Sequence, residues 1–308
     1  MRNIVILSSA ALALVVGGVA DAREGTLRER IAERMAQRGQ KSDAPIAPGK
    51  QTLAYGRDPL QVLDFYPAQG THDPAPLVVF VHGGGWQRGS KDNADGGWKA
   101  PHYTKAGYAY AAINYRLVPG ATVEQQGADI ATALKALLSK ADTLGIDHSR
   151  VVLMGHSAGA HLVALVGTDE RYLKGAGLSF RDLAGVLPID GAAYDVPRQM
   201  SEGPGMMQQT YARAFGSDPA RQRALSPTLQ AAAPNAPAFL IIHVQRPDGI
   251  AQAKEFEAAL RQGGTPVERR EFPGQGLSGH GEINRQLGNP AYAATPVVDA
   301  WLSRVFAR

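Results

Sequence analysis

"VVLMGHSAGAHLVAL", residues 151–165, runs from an apolar, strand-like stretch into a helical one through a turn built on two glycines and a serine. Gly155-His156-Ser157-Ala158-Gly159 has glycines two residues either side of the serine. A sharp strand-to-helix turn crowds the neighbouring chain, and glycines at those two places relieve the crowding. The strained turn holds a serine hydroxyl out at the end of a sheet, where it can act as a nucleophile. Ser157 is therefore the candidate nucleophile, and the segment predicts a strand followed by a helix.

Working outward, "LVVFVHGGG", "YAYAAINYR", "GVLPID" and "AFLIIHV" are further short apolar runs of strand length. Several are continuous rather than alternating, the pattern of strands buried on both faces of a parallel sheet. Between them lie helical stripes: Ile130, Leu134, Leu137 and Leu138 make one, and Phe256, Ala259 and Leu260 another. Alternating strand and helix over this length predicts an α/β fold, a doubly wound, mostly parallel sheet with helices on both faces. Ligands in such sheets bind beyond the carboxyl ends of the strands, so residues just after each strand carry the most information. The stretch 195–235, containing "MSEGPGMMQQTYARAFGSDP", holds no strand. It is either a small cap over the site or a long connection with two helices.

The chain has 308 residues, 44% hydrophobic and 19% charged, with a formal net charge of +4. That supports one large domain with a sizeable core. No cysteine is present, which excludes disulfides, thiolate metal sites and a cysteine nucleophile. Residues 1–22 have the features of an export signal: Arg2, an uncharged apolar run from Ile4 to Ala20, and Ala20-Asp21-Ala22 as a small-x-small cleavage pattern. Cleavage after Ala22 would leave an exported, periplasmic or extracellular protein with no stable membrane insertion. Residues 23–51 read as a basic tether, with six basic and three acidic residues between Arg23 and Lys41, and the catalytic domain is expected from residue 52 to 308.

His82-Gly83-Gly84-Gly85-Trp86 follows a second strand. Successive glycines let backbone N–H groups face a cavity, which is what stabilising a developing oxyanion requires. The N–H after the nucleophile, that of Ala158, would join them. A phosphate loop is disfavoured, because no Gly-Lys-Ser/Thr follows the glycines.

The base is sought among the eight histidines. His156 lies inside the turn, with its side chain expected to project away from the Ser157 hydroxyl. His161 falls one helical turn on and is expected to be packed, while His82 is placed to brace the glycine loop. His280, in "GQGLSGHGEIN", is expected in a mobile loop after the last strand and is the candidate base. Asp248, in "QRPDG" after the strand ending at Val244, is the favoured acid, giving the chain order serine, aspartate, histidine. Asp190, after "GVLPI", is its competitor. Arg116 is expected to pair with a carboxylate such as Asp129, and Trp86, Tyr194, Met206 and Met207 are candidates for the substrate pocket.

From about Tyr55 onward the chain resembles the α/β-hydrolase esterases of the hormone-sensitive-lipase and feruloyl-esterase/arylformamidase-like groups. The resemblance rests on "HGGGW", "NYRLVP" (114–119), "GHSAGAHL", "TDERYL" (168–173), "IDGAAYD" (189–195) and the His280 segment. It implies an eight-stranded sheet, no cofactor and no metal, and hydrolysis of carboxylic esters or similar acyl bonds, with Gly84, Gly85 and Ala158 in the oxyanion role. The substrate would be a small-molecule or polysaccharide-linked ester, and no nucleic-acid partner is implied. One departure stands out: the loop before the acid usually reads histidine-glycine-x-x-aspartate, whereas here it is "HVQRPDG", in which Pro247 would re-aim Asp248. An amide or formamide hydrolase is the alternative within enzymes, and a non-catalytic binding protein of the same fold is the alternative outside them.

Overall fold

A computed structural model of the chain describes residues 44–70, 74–92 and 97–307. The expected signal segment, and the tether as far as residue 43, lie outside the described residues. Among those described, eight strands form one sheet: β1 (Gln51–Ala54), β2 (Val62–Tyr66), β3 (Ala75–Val81), β4 (Ala109–Ile113), β5 (Ile146–His156), β6 (Gly185–Ile189), β7 (Phe239–Gln245) and β8 (Val267–Gln275). Their spatial order is β1-β2-β4-β3-β5-β6-β7-β8. The pairings β1–β2 and β2–β4 are antiparallel, and the remaining six strands run parallel.

The continuous apolar runs are central because both faces of the sheet are covered. All seven residues of β3 and all five of β4 and of β6 are buried. Successive side chains of a strand point to opposite faces, and β3 divides accordingly. Leu77, Val79 and Val81 join the core formed with the helices Val123–Leu138, Ala158–Thr168 and Pro247–Gln262. Val78 and Phe80 join a second core, beneath the helices Lys99–Lys105, Gly276–Gln286 and Ala294–Phe306. Ala47 is buried in this second core, and the compact unit runs Ala44–Arg308. Packing on this core thus includes a described residue ahead of the expected boundary at residue 52.

The helix Val123–Leu138 opens with a reciprocal capping box between Thr122 and Gln125, satisfying two of its orphan N–H groups. It buries Ile130, Leu134 and Leu137, as their spacing predicts, and Leu138 packs at the margin. Asp129 on this helix receives the Arg116 guanidinium at 2.7 Å and the Arg116 backbone N–H at 3.0 Å. The pair expected from the sequence thus ties the helix to the chain leaving β4.

Between β6 and β7, residues 195–235 form the helices Val196–Glu202, Gln208–Phe215, Pro219–Ala224 and Pro227–Gln230, with a 3-10 turn at Gly205–Met207. Asp195 caps the first of them, accepting from the N–H of Arg198. Pro204, Met206, Met207 and Tyr211 of this segment line the cavity described next, so it serves as a small cap rather than a plain connection.

Candidate active site

At the carboxyl ends of the parallel strands lies a cavity of about 420 Å³ that brings together Gly83–Trp86, Ser157, Ala158 and His280. Ser157 follows β5 with φ 57°, a left-handed conformation rare for a side chain of its kind. The flanking glycines are required by close approach. A Cβ on Gly155 would lie 2.3 Å from the Gly159 carbonyl oxygen, and one on Gly159 would lie 2.2 Å from that of Val81. These are backbone clashes that no rotamer relieves, so the turn can form only with glycine at both places. The Ser157 N–H donates to the Ile189 carbonyl at 3.0 Å, anchoring the turn to β6.

The glycine loop is braced from several sides. Gly84 has φ 122°, and a Cβ there would meet the Arg88 carbonyl at 2.0 Å. Tyr115 donates its hydroxyl to the His82 carbonyl at 2.9 Å, and Gln126 donates to the Trp86 carbonyl at 2.7 Å. His82 is buried and stacks on Tyr115 with ring centres 4.3 Å apart, its Nδ1 bonded to the Gly83 carbonyl at 2.7 Å. It braces the loop, as expected. Gly84, Gly85 and Ala158, the residues expected to supply oxyanion donors, line the cavity together with Ser157.

His280 is placed differently from expectation. The glycine-rich stretch is no mobile loop: β8 extends to Gln275, and His280 sits on the helix Gly276–Gln286. Glycine makes this possible by close contact, since a Cβ on Gly279 would lie 2.6 Å from the Gly274 carbonyl carbon. The imidazole is therefore presented by a rigid element, which favours precise placement. Its backbone carbonyl accepts the His156 ring Nε2 at 2.9 Å, and the two rings lie 4.5 Å apart. His156 thus packs against His280 and is among the residues lining the cavity.

The carboxylate facing His280 is Asp190. Its Oδ2 is 2.5 Å from His280 Nδ1 and 2.9 Å from Arg246 Nε, while Oδ1 accepts the Val244 N–H at 3.1 Å. Asp190 is fully buried. Burial by itself would raise its pKa, but the hydrogen bond from His280 and the Arg246 charge outweigh that and bring it down to about 2. The favoured acid, Asp248, lies elsewhere. Pro247 occupies the first turn of the helix Pro247–Gln262, where its fixed φ starts a helix directly after β7. Asp248 is carried into that first turn and toward the cap, 3.4 Å from Gln199 Nε2 and 3.6 Å from Arg246 Nη1. It lines a separate cleft with Arg198 and Glu202.

Of the pocket candidates, Trp86, Met206 and Met207 line the cavity, and Tyr194 does not. Tyr194 is wholly buried and stacks on Phe256 with centres 4.9 Å apart. Left-handed conformations at Asp190 and Ala193 turn the chain back after β6, so a residue close to a strand end becomes core. Trp86 is nearly buried and packs edge-on against His161, Tyr211 and Phe215. Sequence reading missed Tyr211, Leu277, Arg246 and Asn284, which also line the cavity. For Arg246 the signal was its place beside Pro247 at a strand end.

His161 is fully buried, receives the Trp86 indole N–H at 3.3 Å and meets the Leu225 carbonyl at 2.8 Å. One ring nitrogen accepts and the other donates, which fixes the neutral ring. Burial pushes the pKa of both His82 and His161 down to about 4, and burial followed by the neighbouring His280 charge holds His156 well below the usual range. The unfolded chain takes up these protons near pH 6.5. Stability is therefore complete above that pH and falls as pH drops toward 4, on the order of 3 kcal/mol for each of His82 and His161. Urea unfolding at pH 7.5 and pH 4.5 is expected to show a loss of several kcal/mol; equal midpoints would contradict neutral burial.

The strand order, with the strained serine after β5 and the glycine loop after β3, decides the fold. This chain has the α/β-hydrolase fold. Residues 63–185 match the BD-FAE family profile. Esterase LipC of Mycobacterium tuberculosis is 30% identical over 244 residues, covering 75% of this chain and 59% of LipC. Kynurenine formamidase of Salmo salar is 30% identical over 157 residues, 49% of this chain and 51% of that protein. The chain thus spans between half and three-fifths of the length of these two relatives. Among solved structures, esterase B from Lactobacillus rhamnosis superimposes with a TM-score of 0.71 at 21% identity, covering 93% of this chain and 95% of that one.

Proposed function

We propose that this chain is an exported serine hydrolase that cleaves carboxylic esters through Ser157, His280 and Asp190. The observation that carries the reading is the His280–Asp190 bond at 2.5 Å, in a cavity shared by Ser157 and the glycine loop. With Nδ1 engaged by Asp190, Nε2 is the ring nitrogen left to handle protons. Ser157 Oγ attacks the ester carbonyl as His280 takes its proton, and Asp190 steadies the resulting imidazolium. The N–H groups of Gly84, Gly85 and Ala158 receive the oxyanion, each such donor contributing about 10²–10³ in rate. His280 then protonates the leaving alcohol, and water repeats the sequence to release the acid.

Trp86, Met207 and Tyr211 give the cavity an apolar wall for an acyl or aryl group. Likeness to LipC favours an ester, whether on a small molecule or on a polysaccharide. Likeness to a kynurenine formamidase supports a second reading, cleavage of a formamide, because the same oxyanion and base serve both bonds. Export rests on the charge, apolar run and small-residue pattern of residues 1–22.

The test is hydrolysis of p-nitrophenyl acetate and butyrate, methyl ferulate and N-formylkynurenine by the purified protein. Turnover of at least one ester is expected, with the highest kcat/KM identifying the acyl group. A folded protein that turns over only the formamide would replace the ester reading, and one that turns over nothing would leave a binding role.

A further inference from the structure

Asp190 and Asp248 follow different strands, yet one side chain touches both. Arg246, between β7 and the helix that Pro247 opens, donates through Nε to Asp190 Oδ2 at 2.9 Å and through Nη2 to the Asp190 carbonyl at 3.2 Å. Its Nη1 lies 3.6 Å from Asp248. The side chain is 12% exposed and lines the cavity, so little water screens it. Asp190 Oδ2 therefore has two donors, Arg246 Nε and His280 Nδ1, and these groups are at most two hydrogen bonds apart. Asp190 also has φ 45°, a left-handed conformation that aspartate tolerates better than most side chains.

We infer that Arg246 is a positioning residue: it holds Asp190 against His280 and, by sharing the carboxylate oxygen, weakens the pull of Asp190 on the imidazolium. Asp248 in turn offsets part of the Arg246 charge. Asp190 alone is the acid that meets His280, and Arg246 and Asp248 tune its charge from outside the reacting groups. This inference rests on Asp190 acting with His280 as proposed above.

The consequence is read in the pH profile, because His280 works as a base only while neutral. Removing Arg246 leaves Asp190 uncompensated, which favours the imidazolium and moves the acidic limb of kcat/KM upward. Removing the Asp248 charge frees Arg246 to oppose the imidazolium and moves the limb downward. Other groups near the pair are His156 beside His280, Lys99, whose charge reaches His156, and Tyr194, His243 and Tyr292, which interact with Asp190. All of these are common to every variant and cancel in the comparison.

The experiment is the kcat/KM profile for the best ester between pH 4.5 and 9 for wild type, Arg246→Met, Arg246→Lys and Asp248→Asn. Arg246→Met is expected to raise the acidic limb by roughly one pH unit, with Arg246→Lys staying closer to wild type. Asp248→Asn is expected to keep turnover and lower the limb by a few tenths of a unit, a shift smaller because its charge is farther away. A purely structural Arg246 would lower the rate and leave the limb in place, and that result overturns the inference. Should Arg246→Met fail to fold, an unmoved limb in Asp248→Asn overturns it alone. Abolished turnover in Asp248→Asn would instead overturn the assignment of Asp190 as the acid.

Discussion

Replacing Ser157 with alanine is expected to lower kcat for the best ester by roughly 10⁴–10⁶-fold, with little change in stability. The size follows from the loss of covalent catalysis, since a triad without its nucleophile retains only oxyanion binding and orientation. The fold should survive, because the turn is fixed by Gly155, Gly159 and the Ser157 N–H bond to Ile189, none of which uses the hydroxyl. Alanine keeps the Cβ and tolerates the left-handed backbone no worse than serine does. Measured with protein free of other esterases, a loss under about tenfold would mean that another group attacks the carbonyl.

The second large effect separates two aspartates. Asp190→Asn is expected to lower kcat by about 10⁴-fold, the consequence of an amide that cannot hold the imidazole in its working tautomer or stabilise its charge. Asp248→Asn is expected to stay within a few-fold of wild type. Thermal melts must accompany the comparison, because Asp190 also anchors Arg246 and accepts from Val244. Its depressed pKa adds a stability contribution present above about pH 4 and lost as pH falls toward 2, a window below that of the buried histidines. The reverse pattern, a dead Asp248 variant and an active Asp190 variant, would restore the acid expected after β7.

How legible each part was depends on the range of the forces that decide it. The sheet was visible because β3 and β4 are buried on both faces, so their composition alone records the environment. The serine turn was visible because its constraint is local: Gly155 and Gly159 are demanded by backbone atoms a few residues away or on the adjacent strand. The acid was not settled in the same way. Asp190 and Asp248 both follow parallel strands, and the choice depends on whether the chain after β7 stays extended or starts a helix at once. Pro247 decides that, but only together with the Arg246 and Gln199 contacts made across the fold. His280 was recognisable by its place after β8, while its helix was concealed by glycines that normally argue against one. Those glycines serve the packing of Gly279 on Gly274. Tyr194 failed as a pocket residue because two left-handed residues reverse the chain, a feature with no local mark on Ala193.

The most direct test of the central claim, an activated serine at position 157, is reaction with a fluorophosphonate followed by peptide mass mapping. The account predicts one stoichiometric phosphonyl adduct on Ser157, formed within minutes at neutral pH, slowed by orders of magnitude in Asp190→Asn and absent in Ser157→Ala. An unlabelled wild-type protein that is folded by circular dichroism, or an adduct on a different serine, would contradict it.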